Sequence, residues 1–465
     1  MQSSSTSSEQ LHLPAWLLVQ EKIRRQFRTV KTEIPLRKRR NLDDNWRYKL
    51  MLLHLRVYGL NIVYTRDDLL SKFIVTAHFV FLFLEVIFCF QCLTAIVFHI
   101  AQGQIVLREL IMHLQFTVLT LTIIVKGTIL VVKKAEIAEC LFTRLDLRLH
   151  CTAEFDEGTT GKAYASAHNI VLLVYIVSIQ VTGLMAAVVS PLLRFYYSKK
   201  NSTYVLRPIW YPWDMIASRP LFWFAAVYEV ILIYHTIHIC SCADLMFMHF
   251  MITASERFNT LGKYLMRGVP ATYQVEIACS ERINNNLLLM QNHIFDDRLK
   301  NLEEGRLKKG IDDYNVLWRH LNNIKSIFMQ WANFSVLGGM TTITMMTFAA
   351  LTEFLKSDKS GKAITQGVVF LSYVMSAVLV MFTFYYSATL LQESSEDIRF
   401  ALWNHDWIKT GFRHKKLLKM FLLRLNSPIR MKTFQFRPIH LERFSNFIAN
   451  SFSYITFLLQ LARAK

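Results

Sequence analysis

Residues 73–100 read FIVTAHFVFLFLEVIFCFQCLTAIVFHI, with Glu85 the one carboxylate in the stretch. A helix rises 1.5 Å per residue, so about 20 apolar residues cross a hydrocarbon layer about 30 Å thick. This run is long enough to do so. Six more such runs follow, at 106–132, 169–193, 221–250, 332–355, 364–391 and 440–462. The 465-residue chain is 53% hydrophobic and holds 34 Phe, which argues against a row of soluble domains. An all-α membrane protein with seven transmembrane helices is predicted.

Residues 1–72 are polar and basic, so the first run is expected to start insertion itself and leave the N-terminus in the cytosol. Lys and Arg fall unevenly between alternate connections, which sets orientation. There are 14 in 1–72, 5 in 133–168, 11 in 251–331 and 10 in 392–439. The other side receives 5 in 194–220, 3 in 356–363, 2 after residue 462, and Arg108 at the mouth of the second run. The C-terminus is therefore expected outside. The division that follows is a cytosolic N-terminal region at 1–72, four spans over 73–250 with an extracellular loop at 194–220, a cytosolic helical connection at 251–331, two spans over 332–391, a cytosolic segment at 392–439 and a last span at 440–465.

The net charge of +19 would suggest nucleic acid as a partner of a soluble chain. Here most of it faces anionic cytoplasmic lipid, so membrane lipid is the expected partner and nucleic acid is not. None of the seven cysteines lies in a predicted outside loop, so no disulfide framework is expected. Asn201, Ser202 and Thr203 form a glycosylation acceptor in the outside loop. His235 and His238 share a helix face, but Cys240 and Cys242 do not complete a ligand set, and no metal is expected. No Gly-rich phosphate loop, His-Glu-x-x-His helix or nucleophile elbow occurs, so neither an enzyme nor a cofactor is expected.

The connections on the basic side look helical. Val316, Leu317, Leu321, Ile324 and Phe328 recur at helical spacing and run straight into the fifth span, which predicts one continuous rod. HKKLLKMFLLRL at 414–425 is a second amphipathic helix, stopped by Ser427-Pro428. Inside the spans, Lys126 and Asp244 are expected to reach for the interface. Glu85 and Glu229 lie deeper, with cavity lining and internal packing both open.

The last span, FSNFIANSFSYITFLLQLARAK at 444–465, is unusually polar. At 100° per residue, Asn446, Asn450, Ser453, Phe457 and Gln460 fall within about a quarter of the circumference, with Leu461 beside them. Hydrogen bonding between helices and the wall of a water-filled pore both fit this stripe.

ESSEDIRFALWNHDW at 393–407 and RPIHLERFSNFIANSFSYITFLLQL at 437–461 resemble the C-terminal signature of insect odorant receptors, through Glu393-Ser394, Ala401, Trp407 and Ser453-Tyr454. The loop WYPWD at 210–214 is similar to that family's second extracellular loop. Related gustatory receptors end in Thr-Tyr, five apolar residues and Gln-Phe. The final motif here, Ser453-Tyr454 to Gln460-Leu461, does not separate the two, whereas the Glu-Ser segment and RPIHLERF favour the odorant branch.

The resemblance implies an odorant-gated, nonselective cation channel of four subunits in the plasma membrane of a sensory dendrite. Such channels pair a ligand-tuning subunit with a co-receptor, and a homotetramer is the other arrangement open. The last helix would line the pore, cytosolic helix ends would form an anchor bundle, and motif alignment carries the gate to Phe457, Gln460 and Leu461. Phe457 departs from the small aliphatic residue usual in the co-receptor. Ligand contacts are expected in the outer halves of spans two, three, four and six: His113, Phe116, Gln180, Gly183, Ala187, Phe224, Val227, Tyr228, Phe370, Tyr373 and Val374. The alternatives are a gustatory-type channel and a G-protein-coupled receptor. The second is opposed by the cytosolic N-terminus and by the lack of Asp-Arg-Tyr and Asn-Pro-x-x-Tyr motifs.

Overall fold

The computed structural model describes residues 69–101, 107–133, 173–181, 219–267, 288–355, 361–405, 407–433 and 438–463, with short pieces at 136–137, 139–140, 149–151, 183–184 and 192. Asn201, Ala187 and the WYPWD loop lie outside the described residues, as do the side chains of His238 and Leu461.

The described architecture is helical throughout, with one isolated bridge between Lys432 and Pro438. Its helices are α1 (Leu69–Ala101), α2 (Leu107–Val132), α3 (Arg219–Met266), α4 (Leu288–Phe354), α5 (Gly361–Trp403), α6 (Phe412–Leu425) and α7 (Leu441–Arg463). A further helical stretch covers 173–181. By length and composition α1 to α5 are able to cross a membrane. α7, the helix with the polar stripe, is not among them.

α3 and α5 run well past the apolar runs that start them, to Met266 and Trp403. Their extensions stay helical because Phe258, Leu261, Tyr264 and Leu265 on α3, and Ile398, Ala401 and Leu402 on α5, keep an apolar face that is buried. α4 is the single rod that the spacing predicts, at 67 residues. Leu317, Leu321, Ile324 and Phe328 form its buried face. α6 packs on α4 and α5 through His414, Leu418, Phe421 and Leu425, leaving its Lys-rich face outward. The extended ends of α3, α4 and α5 pack with α6 in one helical bundle, called the anchor below.

Two apolar clusters divide the interior. The larger runs from the middle of the spans through the anchor and is centred on aromatic side chains. Phe247 stacks on Phe384 at 4.4 Å, Phe328 lies 4.7 Å from Trp331, and Tyr314 meets Phe421 edge-on at 5.3 Å. Aromatic pairs in such arrangements contribute about 0.5–1.5 kcal/mol beyond area burial. The smaller cluster lies at the opposite end, where α2, α3 and α5 begin.

α4 is held tightly at Gly338 and Gly339. A Cβ at Gly338 would stand 3.1 Å from Thr122 Oγ1 on α2, and one at Gly339 would overlap the Met381 sulfur on α5. Small residues at these points let three helix backbones approach closely. The anchor also fixes incoming chain: the backbone N–H groups of His150 and Cys151 donate to the buried Asp313 carboxylate at 3.0 and 2.9 Å. Burial pushes the Cys151 thiol up to about 12, with the Asp313 charge adding to it.

Candidate functional site

The smaller cluster brings together side chains from five helices. α1 gives Phe88 and Cys92, α2 gives Met112 and Phe116, and α3 gives Ala225 and Leu232. α4 contributes Met346, Ala349 and Ala350, and α5 contributes Phe370 and Val374. Tyr228 and Tyr373 pack against it at its edge. The Tyr228 hydroxyl lies 3.4 Å from both the Leu84 carbonyl and Gln91 Oε1, so a polar handle ties the ring to α1. Below Met112, Gln115 Nε2 donates to Thr342 Oγ1 at 2.6 Å and pins α2 to α4.

Of the residues expected around a ligand, Phe116, Tyr228, Phe370, Tyr373 and Val374 meet here, and His113 is buried one turn before Phe116. Gly183 faces α3, where an added Cβ would stand 3.3 Å from Ile237 Cδ1. Three others are placed differently. Gln180 is exposed. Phe224 and Val227, 63% and 56% exposed, point away from the bundle with Ile231 and Tyr234. The helical phase of α3 explains this: Ala225, Tyr228, Leu232 and Thr236 mark its inward face, so the 224, 227, 231, 234 series falls on the outward one. That outward series is apolar, as a lipid-facing surface requires.

Phe88, Cys92, Met112, Ala225, Leu232, Met346, Ala349 and Ala350 are at the cluster without having been expected there. The 85, 88, 92 spacing on α1 carried a signal, because it continues the face of the lone carboxylate Glu85.

The expectation that Lys126 and Asp244 reach for the interface is corrected. Lys126 Nζ donates to both Asp244 oxygens, at 3.0 and 3.2 Å, with both side chains buried. Tyr175 Oη and Ser335 Oγ each donate to the same carboxylate at 3.3 Å, and the ammonium lies 5.8 Å from the Trp331 ring centroid. One carboxylate thereby joins α2, α3, α4 and the 173–181 helix. A charge buried alone costs several kcal/mol, which pairing and hydrogen bonding offset. Both side chains are turned into the bundle, where each is held by the other.

Glu85 and Glu229 are buried too. Glu85 accepts from Thr236 Oγ1 at 2.9 Å. Among the described residues no three His, Cys, Asp or Glu side chains gather in a metal-binding arrangement.

α7 packs on α4 and α5 along one side only. Its first N–H is satisfied from outside, since Leu441 N donates to Thr389 Oγ1 of α5 at 3.0 Å. Phe444 lies 5.6 Å from Tyr385 and 6.0 Å from Phe382, and Phe447, Ser451 and Ile455 continue the buried side. Asn446, Asn450, Ser453, Phe457 and Gln460 all lie on the exposed side, with Phe457 57% exposed. The hydroxyls of Ser453 and Thr456 bond back to Ala449 and Ser453 carbonyls of their own helix.

This arrangement defines a helical membrane protein with an enclosed apolar cluster at one end and a last helix covered on one side. The family model described as 7tm Odorant receptor matches residues 106–452, and the chain belongs to that family. Membership decides between the odorant and gustatory branches, which the final motif alone leaves unseparated.

The chain is 29% identical to Odorant receptor 10 of Aedes albopictus over 93 residues, 20% of this chain and 25% of that protein. It is 29% identical to Putative odorant receptor 85d of Drosophila melanogaster over 98 residues, 21% of this chain and 24% of that one. With Odorant receptor 22b of Drosophila melanogaster it shares 23% identity over 187 residues, 37% of this chain and 44% of that protein. The chain thus spans about a quarter of the length of the first two relatives. Its fold is similar to that of the insect olfactory receptor OR5 from Machilis hrabei in complex with eugenol. The TM-score is 0.67 at 14% identity, over 90% of this chain and 98% of that one. For the structure of OR5 described without eugenol the TM-score is 0.65 at 14% identity, over 89% and 97%. At these identities the likeness is one of fold.

Proposed function

We propose that the chain is a subunit of an odorant-gated, nonselective cation channel in the plasma membrane of a sensory neuron. Seven spans, a cytosolic N-terminus and an extracellular C-terminus follow from the apolar runs and the distribution of basic residues. A volatile ligand binds among the apolar side chains of the smaller cluster. Burying about 200 Å² of its apolar surface there contributes about 5 kcal/mol, enough for recognition with few polar contacts.

The observation that carries the pore assignment is the side of α7 that its own subunit leaves uncovered. Asn446, Asn450, Ser453 and Gln460 all lie there, in one stripe with Phe457. Four such helices around one axis would enclose water, with Phe457 and Leu461 closing the ring. The partners are co-receptor subunits in a heterotetramer, or copies of the chain in a homotetramer, together with permeant cations and lipid. A sugar on Asn201 is part of the same topology.

The test is to express the chain with and without the co-receptor and record current against a panel of volatiles. A ligand-evoked cation current is expected, and silence in both conditions from a protein present at the surface would overturn the channel reading. Epitope tags on intact cells test the topology, with the C-terminal tag reached by antibody and the N-terminal tag hidden.

A further inference from the structure

One helical turn from Phe88 and Leu232, on the anchor side of the apolar cluster, α1 and α3 enclose a group of polar side chains. Glu85 is 0% exposed, and His78 and His235 are buried with it. Thr236 Oγ1 donates to Glu85 Oε1 at 2.9 Å, and His235 Nδ1 stands 3.6 Å from that oxygen, too far for a hydrogen bond. The His78 ring lies 5.4 Å from the His235 ring, and Phe81 packs 5.2 Å from it on another side. Glu85 Oε2 and both ring nitrogens of His78 and of His235 have no hydrogen-bond partner among the described residues. Buried polar atoms are nearly always paired, because leaving them bare forfeits their hydration with no return.

The chemistry of the bare atoms selects what satisfies them. A carboxylate oxygen only accepts, while an imidazole ring supplies a donor as well. A hydroxyl group serves both at once, whereas an ether or ester oxygen can only accept and a hydrocarbon does neither. We propose that Glu85, His235 and Thr236 form a polar subsite for a volatile that carries a hydroxyl group. Its O–H donates to Glu85 Oε2, its oxygen accepts from a ring nitrogen of His235, and its apolar body lies among Phe88, Phe116 and Phe370. This inference rests on the reading of the smaller cluster as the ligand site.

The test compares primary alcohols with their methyl ethers of equal length on the full chain expressed with the co-receptor. Each alcohol is expected to activate at about tenfold lower concentration than its ether. Glu85→Gln should raise the alcohol concentration required until the gap falls below about threefold, and Thr236→Val, which frees Glu85 Oε1 of its partner, should narrow it less. Equal potency of alcohols and ethers in the unsubstituted protein, as expected if water alone fills the subsite, overturns the inference and leaves the channel reading intact. A full gap retained in Glu85→Gln does the same. The unsubstituted series decides even if the variant fails to reach the surface. Silence to every member by surface-expressed protein overturns the channel reading and this inference together.

Discussion

Lys126 and Asp244 stand 118 positions apart in the chain and 3.0 Å apart in the fold, both shut away from solvent. With Tyr175 and Ser335 on the same carboxylate, the pair joins four helices between the apolar cluster and the anchor. Replacing Lys126 by Met strands the Asp244 charge, and breaking a buried pair from one side costs about 3–5 kcal/mol. Lys126→Met should lower the detergent melting temperature and surface level sharply. Lys126→Met with Asp244→Asn should recover much of both, and a double variant worse than the single would refute the pairing account.

On α7, Ser451 is buried and Ser453 two residues on is exposed. If the exposed side faces an aqueous axis, Ser453→Cys should react with a charged thiol reagent during ligand application and lose current, while Ser451→Cys should resist. Phe457→Ala, which removes most of a ring from the same side, should raise current in the absence of ligand. Equal reactivity at 451 and 453 would count against the pore assignment, and an unchanged basal current in surface-expressed Phe457→Ala would move the constriction elsewhere.

Gly339 leaves the Met381 side chain no room for a Cβ beside it. Gly339→Val should force α4 and α5 apart at a cost of about 1–3 kcal/mol, in the range of other overpacked sites. Pairing it with Met381→Ala should restore part of the lost melting temperature. Gly305→Ala, at a position with open space around it, serves as the control.

In the anchor, burial holds the His414 imidazole below its ordinary range, and His405, 5.6 Å away ring to ring, pushes the same way. Glu304 opposes both more weakly. A histidine whose folded value is depressed takes up less proton folded than unfolded between the two values, so stability is lost as pH falls below about 6.5. Melting in detergent should drop between about pH 7.5 and pH 5.5, and His414→Phe should flatten that slope. A slope untouched by the substitution would place the acid sensitivity on another group.

The helices were legible where one physical signal dominated. Hydropathy marked the five runs that α1 to α5 carry, and the 317, 321, 324, 328 series extended the run at 332–355 into a rod because each of those side chains buries. The Lys126–Asp244 pair was not legible. Each residue alone looks interfacial, and only the packing of α2 against α3 brings them together. The smaller cluster was read in part for a related reason: periodicity gives a helix's apolar residues but not which of two apolar faces meets protein and which turns outward. Phe224 and Tyr228 are equally aromatic and only about 40° apart around α3, yet they straddle the edge between its faces, Phe224 exposed and Tyr228 against the core.

The unbroken course of α4 has a mechanical consequence. Ser335, bonded to Asp244, and the close contacts at Gly338 and Gly339 hold the rod part-way along its 67 residues, and the buried Tyr314, Leu317 and Leu321 hold it again in the anchor. Measured from Ser335, the arm toward Phe354 is about 29 Å long and the arm toward Leu288 about 70 Å. Held at both places, the rod joins Met346 and Ala349 of the smaller cluster to Tyr314 and Leu317 of the anchor as one unbroken strut.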